Sequence, residues 1–181
     1  GKGLLTENSW KDAYRLSYDL YLELAQMEYI TGNIDTAEQL FNVIIGKASN
    51  ELERASVYSL KIILYAGVGK YSEAVHTGID VLKNLGIKIP IHPNIFDYLK
   101  ELVLYKWCTR GKQIEEFLNL PEIEDPTRRK IAELLNRLSN VTMTSHPDLH
   151  GLIILKAGNY TARYGNTEMA CVGYLGYSNY L

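Results

Sequence analysis

Apolar residues recur at intervals of three and four along most of the chain, which is the pattern of helices that bury one face. The first such run extends from about Trp10 to Ile30 and ends at the Gly32-Asn33 pair. Apolar and polar residues do not alternate over any sustained stretch, so no sheet is predicted. The pattern predicts an all-α chain of about nine helices, over residues 10–30, 34–47, 51–66, 71–85, 95–109, 113–118, 126–144, 148–164 and beyond the turn at 165–166.

A set of three residues, a tyrosine, a glycine and an alanine, recurs 37 positions further along the chain. Glycine can end a helix with a positive φ, and an alanine early in the next helix lets the two backbones approach closely. The spacing therefore predicts antiparallel helix hairpins that must stack to bury their apolar faces. The residues are Tyr21, Gly32 and Ala37 in the first copy, Tyr58, Gly69 and Ala74 in the second, and Gly165 and Ala170 in a third copy of the turn.

A bulky residue follows the alanine by one turn in two of the copies, Phe41 in the first and Tyr174 in the third. The second copy has Gly78 there, which predicts either a gap or a closer helix contact. We expect a single helical repeat domain over 1–181, cut from a longer chain because the pattern continues to the last residue. Its hairpins are predicted at about 10–48, 51–85 and 148–181, and an irregular helical segment at about 86–147.

The hairpins resemble the tetratricopeptide repeat. That motif combines an early aromatic, small residues where the helices touch, a glycine-containing turn, and then an alanine and an aromatic. The resemblance implies an α-solenoid that takes part in protein–protein interaction, although the 37-residue period exceeds the usual 34. The residues that carry it are Tyr21, Leu24, Ala25, Gly32, Ala37 and Phe41, then Tyr58, Tyr65, Gly69 and Ala74, then Gly158, Gly165, Ala170 and Tyr174.

The order of features along the chain is also similar to the helical region that follows the AAA-type ATPase module in large bacterial multidomain signalling proteins. Those hybrids join a Ser/Thr kinase, an ATPase, helical repeats, a GAF sensor and often a histidine kinase. The resemblance implies that kinase and ATPase activity lie outside this chain, which would be a coupling module. The similar stretches are residues 10–21, Ala37-Glu38, 69–74, 85–90, Leu120-Pro121 with Asp125-Pro126, and 164–166.

Composition narrows the function further. The net charge of -2 disfavours nucleic-acid binding, which needs a dense basic face. The sequence has no apolar run near the ~18 residues of a membrane span and no signal-peptide pattern. We therefore expect no membrane insertion and a cytoplasmic location. Cys108 and Cys171 are interpreted as reduced thiols packed among apolar residues.

Two local patterns invite a chemical interpretation. Residues 67–70, Gly-Val-Gly-Lys, lack both the first glycine and the Ser or Thr of a phosphate-binding loop, because Leu64 and Tyr71 stand there. His146 and His150 have the i, i+4 spacing of metal ligands, but Pro147 places them across a helix start and the sequence offers no third ligand nearby. We expect no catalytic residue, no metal and no cofactor.

The first helix of each hairpin would line the groove of a solenoid. By register, Gln26 and Tyr29 in the first hairpin and Asn159 and Arg163 in the third are the predicted ligand contacts. The alternative for this face is coverage by neighbouring domains or by water. The favoured function is a non-catalytic coupling module whose partner is a protein. The alternatives are a stand-alone peptide-binding domain and a small-molecule sensor that uses the loop at 87–93.

Overall fold

The computed structural model describes residues 9–110, 116–117 and 119–168 of the 181-residue chain. This part of the chain forms eight helices and no strand, which confirms the all-α prediction. The helices are α1 (Ser9–Asp12), α2 (Tyr14–Ile30), α3 (Ile34–Lys47), α4 (Glu51–Gly67), α5 (Tyr71–Asn84), α6 (Ile95–Thr109), α7 (Pro126–Ser145) and α8 (Pro147–Tyr164).

Glycines make the two turns that the 37-residue repeat predicts. Gly32 joins α2 to α3 with φ +89°, and Gly69 joins α4 to α5 with φ +79°. The residue after each glycine forms a hydrogen bond with the last turn of the preceding helix. The N–H of Asn33 donates to Glu28 at 2.8 Å, and the N–H of Lys70 donates to Tyr65 at 2.8 Å. This six-residue closure satisfies carbonyls at the helix end and fixes the hairpin angle.

The alanines of the repeat lie where paired helices approach each other. Ala37 and Ala74 have no exposed surface, and Phe41 is equally buried. Tyr21 and Tyr58 are partly buried and pack against the two main apolar clusters of the core. These positions therefore lie at turns and in the core of the described structure, and their stacking as a repeat array stays a prediction.

A partly buried ion pair joins α3 to α4. The Lys61 ammonium lies 2.7 Å from one carboxylate oxygen of Glu38, and the Tyr65 hydroxyl donates to the other at 2.6 Å. Burial and the Glu38 hydrogen bond raise the pKa of Tyr65 well above its usual value. The Lys61 side chain is 9% exposed, so the loss of Glu38 would leave a charge with little access to water.

Helix α7 packs against α4, α5 and α8. It begins where the sequence predicts, with the Asp125 side chain accepting from the N–H of Arg128 at 2.7 Å and with Pro126 at its first position. The sequence left open whether Gly78 creates a gap or permits a closer helix contact, and the structure shows the closer contact. A Cβ at that position would lie 2.7 Å from Cγ of Leu138, so the glycine lets α5 and α7 touch.

The chain after α8 is tied to the segment before α7. Gly165 takes φ +115°, and a Cβ there would collide with the carbonyl of Pro121. The N–H of Asn166 donates to that carbonyl at 2.8 Å, and the Asn166 carbonyl accepts from Ile123 at 2.9 Å. Glu122 and Asn166 consequently form an isolated parallel bridge.

One helix boundary differs from the sequence prediction. The helix predicted over 10–30 is broken at Ala13 (φ −140°, ψ 53°), so α1 and α2 are separate. Helix α8 packs against α7 and α6, and its pairing with a following helix stays a prediction, because that helix lies outside the described residues. Most of the helix predicted over 113–118, and the ninth helix with Ala170, Cys171 and Tyr174, lie outside the described residues.

Candidate interaction surfaces

Helix α6 turns apolar side chains outward and a carboxylate inward. Its one buried residue is Glu101, which is 4% exposed. Large apolar side chains are usually buried, so an exposed apolar face of this kind is a candidate interaction surface. This surface, called the α6 face below, consists of Ile95 (65% exposed), Phe96 (75%), Leu99 (48%), Val103 (66%) and Trp107 (81%).

Polar contacts to α8 hold α6 in this orientation. The Lys156 ammonium lies 2.6 Å from one carboxylate oxygen of Glu101. The Asn159 amide donates to the other oxygen and to the Glu101 carbonyl, both at 2.9 Å. The Tyr98 hydroxyl donates to the carbonyl of Asp148. Rotation of α6 to bury its apolar face would therefore separate the half-buried Lys156 ammonium from the buried Glu101 carboxylate.

The start of α6 is also fixed. The Asn94 side chain accepts from the N–H groups of Phe96 and Asp97, at 2.8 and 3.3 Å, and the Asp97 carboxylate accepts from the Asn94 N–H at 2.9 Å. This reciprocal capping box satisfies N–H groups that a helix otherwise leaves without partners. The α6 face is therefore displayed on an element that is anchored at its first turn and along its inner side.

A polar cavity of about 390 Å³ lies along α7. A second cavity, of about 320 Å³, shares Arg129 and Glu133 with the first. Arg129 is engaged, because its guanidinium donates to the Ile123 carbonyl at 2.9 Å. The larger cavity is lined by Glu122, Arg129, Glu133, Arg137, Asn166, Thr167 and Glu168.

Glu133 lies between these cavities and has three polar partners. Its carboxylate accepts from Lys130 at 2.6 Å, from Arg137 at 2.9 Å and from the Ser59 hydroxyl of α4 at 2.9 Å. Burial raises the pKa of this carboxyl, but the Lys130, Ser59 and Arg137 contacts together outweigh burial and lower it. Glu133 therefore joins α4 to α7 as an anion, and both of its carboxylate oxygens are already bonded to side chains of this chain.

Replacing Glu133 by glutamine is expected to lower the free energy of unfolding by about 1 kcal/mol at pH 7, since the charge-assisted hydrogen bonds become neutral ones. Because the folded pKa is lowered, the carboxylate stabilises the fold fully above its ordinary pKa of 4.5. That contribution is lost as pH falls through the folded pKa. Urea unfolding from pH 7 to pH 3 should show the two proteins converging below about pH 4.5.

The matched control is Glu124→Gln, because Glu124 is exposed and precedes the helix. Its free energy of unfolding should stay within about 0.5 kcal/mol of wild type throughout. A Glu133→Gln deficit that persists unchanged at pH 3 would contradict the electrostatic account.

The structure places two of the four predicted groove residues in the interior. Tyr29 is 2% exposed, packs with Tyr65 at a ring separation of 6.1 Å, and has no hydrogen-bond partner for its hydroxyl among the described residues. Asn159 is 3% exposed and holds Glu101. Gln26 is partly exposed, and Arg163 is exposed with its guanidinium 5.2 Å from the Tyr164 ring.

These four residues lie on two helices that pack against different neighbours. Helix α2 packs against α1, α3 and α4, whereas α8 packs against α6 and α7. A role in ligand contact stays a prediction for all four. For Tyr29 and Asn159 it would require movement of the helices that cover them.

Sequence reasoning missed the α6 face. Phe96, Leu99, Val103 and Trp107 follow helical spacing, which is typical of a buried side. The available signal was a pair of acids four positions apart, Asp97 and Glu101, on the opposite side of the same helix. The partners of Glu101 lie 55 and 58 positions away in sequence, so local periodicity could not show which side faces the protein.

The Gly-Val-Gly-Lys stretch at 67–70 and the histidines His146 and His150 take part in hydrogen bonds within the chain. The Lys70 N–H is used in the turn after α4. His150 Nδ1 lies 2.9 Å from the Ser139 carbonyl, and His146 Nδ1 lies 2.8 Å from the Ser145 hydroxyl. Among residues 9–110 and the described part of 116–168, no three His, Cys, Asp or Glu side chains are grouped to hold a metal ion. None of the helices described is long and apolar enough to cross a bilayer.

Comparison with curated proteins finds a similarity to Hybrid signal transduction histidine kinase G of Dictyostelium discoideum. The identity is 22% over 110 residues, which cover 61% of this chain and 3% of that protein. The chain thus spans a small fraction of the length of the relative that it matches. No family model and no solved structure match the chain. The similarity relates the chain to signal-transduction proteins.

Proposed function

We propose that this chain is a non-catalytic protein-interaction and coupling module of a larger signal-transduction protein. The α6 face carries this proposal: five large apolar side chains, 48 to 81% exposed, lie on a helix that is anchored from its other side. Exposed apolar groups of this size are costly to keep in water and gain free energy when a partner covers them. This arrangement suits coupling, because a displacement of α6 by a partner would also move α8, to which Glu101 is bound.

The similarity to a hybrid histidine kinase supports the signalling part of the proposal. In this proposal the helices form a tetratricopeptide-like solenoid of about nine helices, located in the cytoplasm, that follows an AAA-type ATPase module as in bacterial kinase hybrids. The repeat glycines and buried alanines support the solenoid. Kinase and ATPase activity would then belong to segments outside this chain, and its partner would be a neighbouring domain or another protein.

Site-specific photocrosslinking tests the proposal in the intact parent protein in cells. A benzophenone amino acid at Trp107 is expected to form a defined polypeptide adduct, because a partner that covers the α6 face would lie within reach. The matched control is the same amino acid at Met143 on α7, which is 64% exposed but lies outside the α6 face. Adding Leu99→Glu and Val103→Glu should abolish the Trp107 adduct and leave the melting temperature unchanged. A lipid adduct, or equal labelling from both positions, would contradict the proposal.

A further inference from the structure

A second exposed apolar stripe lies on α2. Leu16 is 58% exposed, Leu20 37%, Met27 60% and Ile30 70%, and the spacing of four, seven and three residues keeps them on one side of the helix. The buried residues of α2, among them Tyr18, Ala25 and Tyr29, lie on the opposite side. These four apolar residues, with the acids between them, are called the α2 face below.

The two faces carry opposite charges. The exposed Glu23 and the half-exposed Asp19 lie within the stripe of α2, where Asp19 also pairs with Arg15 of its own helix. On α6, the exposed Lys100 and Lys106 flank the stripe. Apolar stripes flanked by complementary charges are the arrangement with which helices select each other as neighbours.

The faces also lie near the two ends of the helical packing order. Contacts pass from the short helix α1 to α2 and α3, then to α4 and α5, then to α7, then to α8 and α6. A helix stacked on α6 would therefore continue the array at one end, and a helix stacked on α2 would continue it at the other. The two faces can be engaged at the same time.

The size of the α6 face fits a protein contact. Aromatic side chains bury about 150 to 250 Å² each, and Phe96 and Trp107 are 75% and 81% exposed. With its three aliphatic residues the α6 face exposes on the order of 500 Å², which is most of the about 800 Å² that each partner buries in a standard interface. The lysine stems and neighbouring loops would supply the rim.

We propose that the occupant of the α6 face is a second copy of this chain, stacked head to tail so that its α2 face lies on α6. This inference rests on the proposed function and names its partner. A contact between two different faces is heterologous, so each added copy presents a fresh α6 face and the assembly grows with concentration. Pairing of two α6 faces is disfavoured, because it brings Lys100 and Lys106 of both copies together.

Two blocked variants of the 181-residue chain test the pairing. Val103→Glu with Trp107→Glu blocks the α6 face, and Leu20→Lys with Met27→Lys blocks the α2 face. Sedimentation velocity should show wild type growing beyond a dimer as concentration rises, and each variant alone remaining a monomer. An equimolar mixture should form a dimer and stop there, since each variant supplies one intact face. Met143→Glu is the control and should associate as wild type does.

The strength of self-association of charge-reversed variants at low salt provides a second test. Lys100→Glu with Lys106→Glu should weaken self-association about tenfold or more at low salt, and Asp19→Lys with Glu23→Lys should do the same. When these two charge-reversed proteins are mixed, the reversed α6 face of one should bind the reversed α2 face of the other, because their charges are again opposite. Circular dichroism and melting curves of each variant establish that a loss of association is not a loss of fold.

Several outcomes would overturn the head-to-tail pairing. Wild type could remain a monomer at the highest soluble concentration, the α2-blocked variant could still dimerise, or the mixture of blocked variants could fail to pair. If the pairing fails but Trp107 still forms an adduct with a different polypeptide, the proposed function stands and only the identity of the partner falls. If Trp107 forms no adduct either, both fall.

Discussion

Replacing Glu101 by leucine is expected to lower the free energy of unfolding by about 3 kcal/mol, because the change leaves the Lys156 ammonium without its carboxylate and removes one acceptor of the Asn159 amide, which keeps the backbone carbonyl of residue 101. Glu101 is 4% exposed and the Lys156 side chain 17%, so water can replace the lost oxygens only in part. Since α6 packs mainly on α8, the loss should be concentrated there. Amide hydrogen exchange should accelerate along α6 more than along α2 or α3.

The double variant Glu101→Leu with Lys156→Met is the control for this interpretation. It replaces both charges by apolar side chains of similar length, and it should recover most of the lost stability, as expected when a buried ion pair is exchanged as a unit. Glu101→Gln keeps two hydrogen-bonding atoms and should cost less than leucine, about 1 to 2 kcal/mol. A Glu101→Leu protein whose α6 exchange is unchanged would show that the ion pair does not hold the helix.

The repeat was predictable because its signals are local. Gly32 and Gly69 end helices with a positive φ, and an alanine five positions later is needed wherever two helices cross closely. Both requirements concern residues that are near each other in sequence. The start of α7 at Asp125 and Pro126 was predictable for the same reason, since capping involves adjacent residues.

The orientation of α6 was not predictable in this way. Apolar residues occur on both of its sides, and the half-buried ones include Tyr98, Leu102, Leu104, Tyr105 and Cys108. The inward side is decided by Lys156 and Asn159, which local periodicity does not connect to Glu101. The same long-range contact buries Asn159, which register alone had placed in a groove.

Tyr29 was assigned to the groove although a local signal opposed it. It lies four residues after Ala25, on the side of α2 that packs against the core, and both are fully or almost fully buried. Consistent use of helical spacing would have placed it inside. The exposed apolar positions of α2 include Leu16, Leu20, Met27 and Ile30, and apolar spacing alone does not distinguish them from positions that face inward.

Truncating Leu138 to alanine is expected to lower the free energy of unfolding by about 2 to 5 kcal/mol, as for other fully buried leucines. Leu138 has no exposed surface, and its side chain fills the space that the missing Cβ of Gly78 leaves open. The Gly78→Ala change should therefore have opposite signs in two backgrounds. In wild type, a Cβ 2.7 Å from Cγ and 2.9 Å from Cδ1 of Leu138 should cost about 1 to 3 kcal/mol by overpacking, which exceeds the roughly 1 kcal/mol that alanine gains in helix propensity.

In the Leu138→Ala background the obstacle is gone, so Gly78→Ala should instead stabilise by about 0.5 to 1 kcal/mol. Gly46→Ala is the matched control, because Gly46 lies within α3 and a Cβ there meets no atom within 4 Å. It should stabilise by a similar amount in both backgrounds. Urea unfolding of the six proteins measures the coupling energy directly. Equal effects of Gly78→Ala in the two backgrounds would mean that α5 and α7 adjust to the methyl group, and that the glycine is not required for their contact.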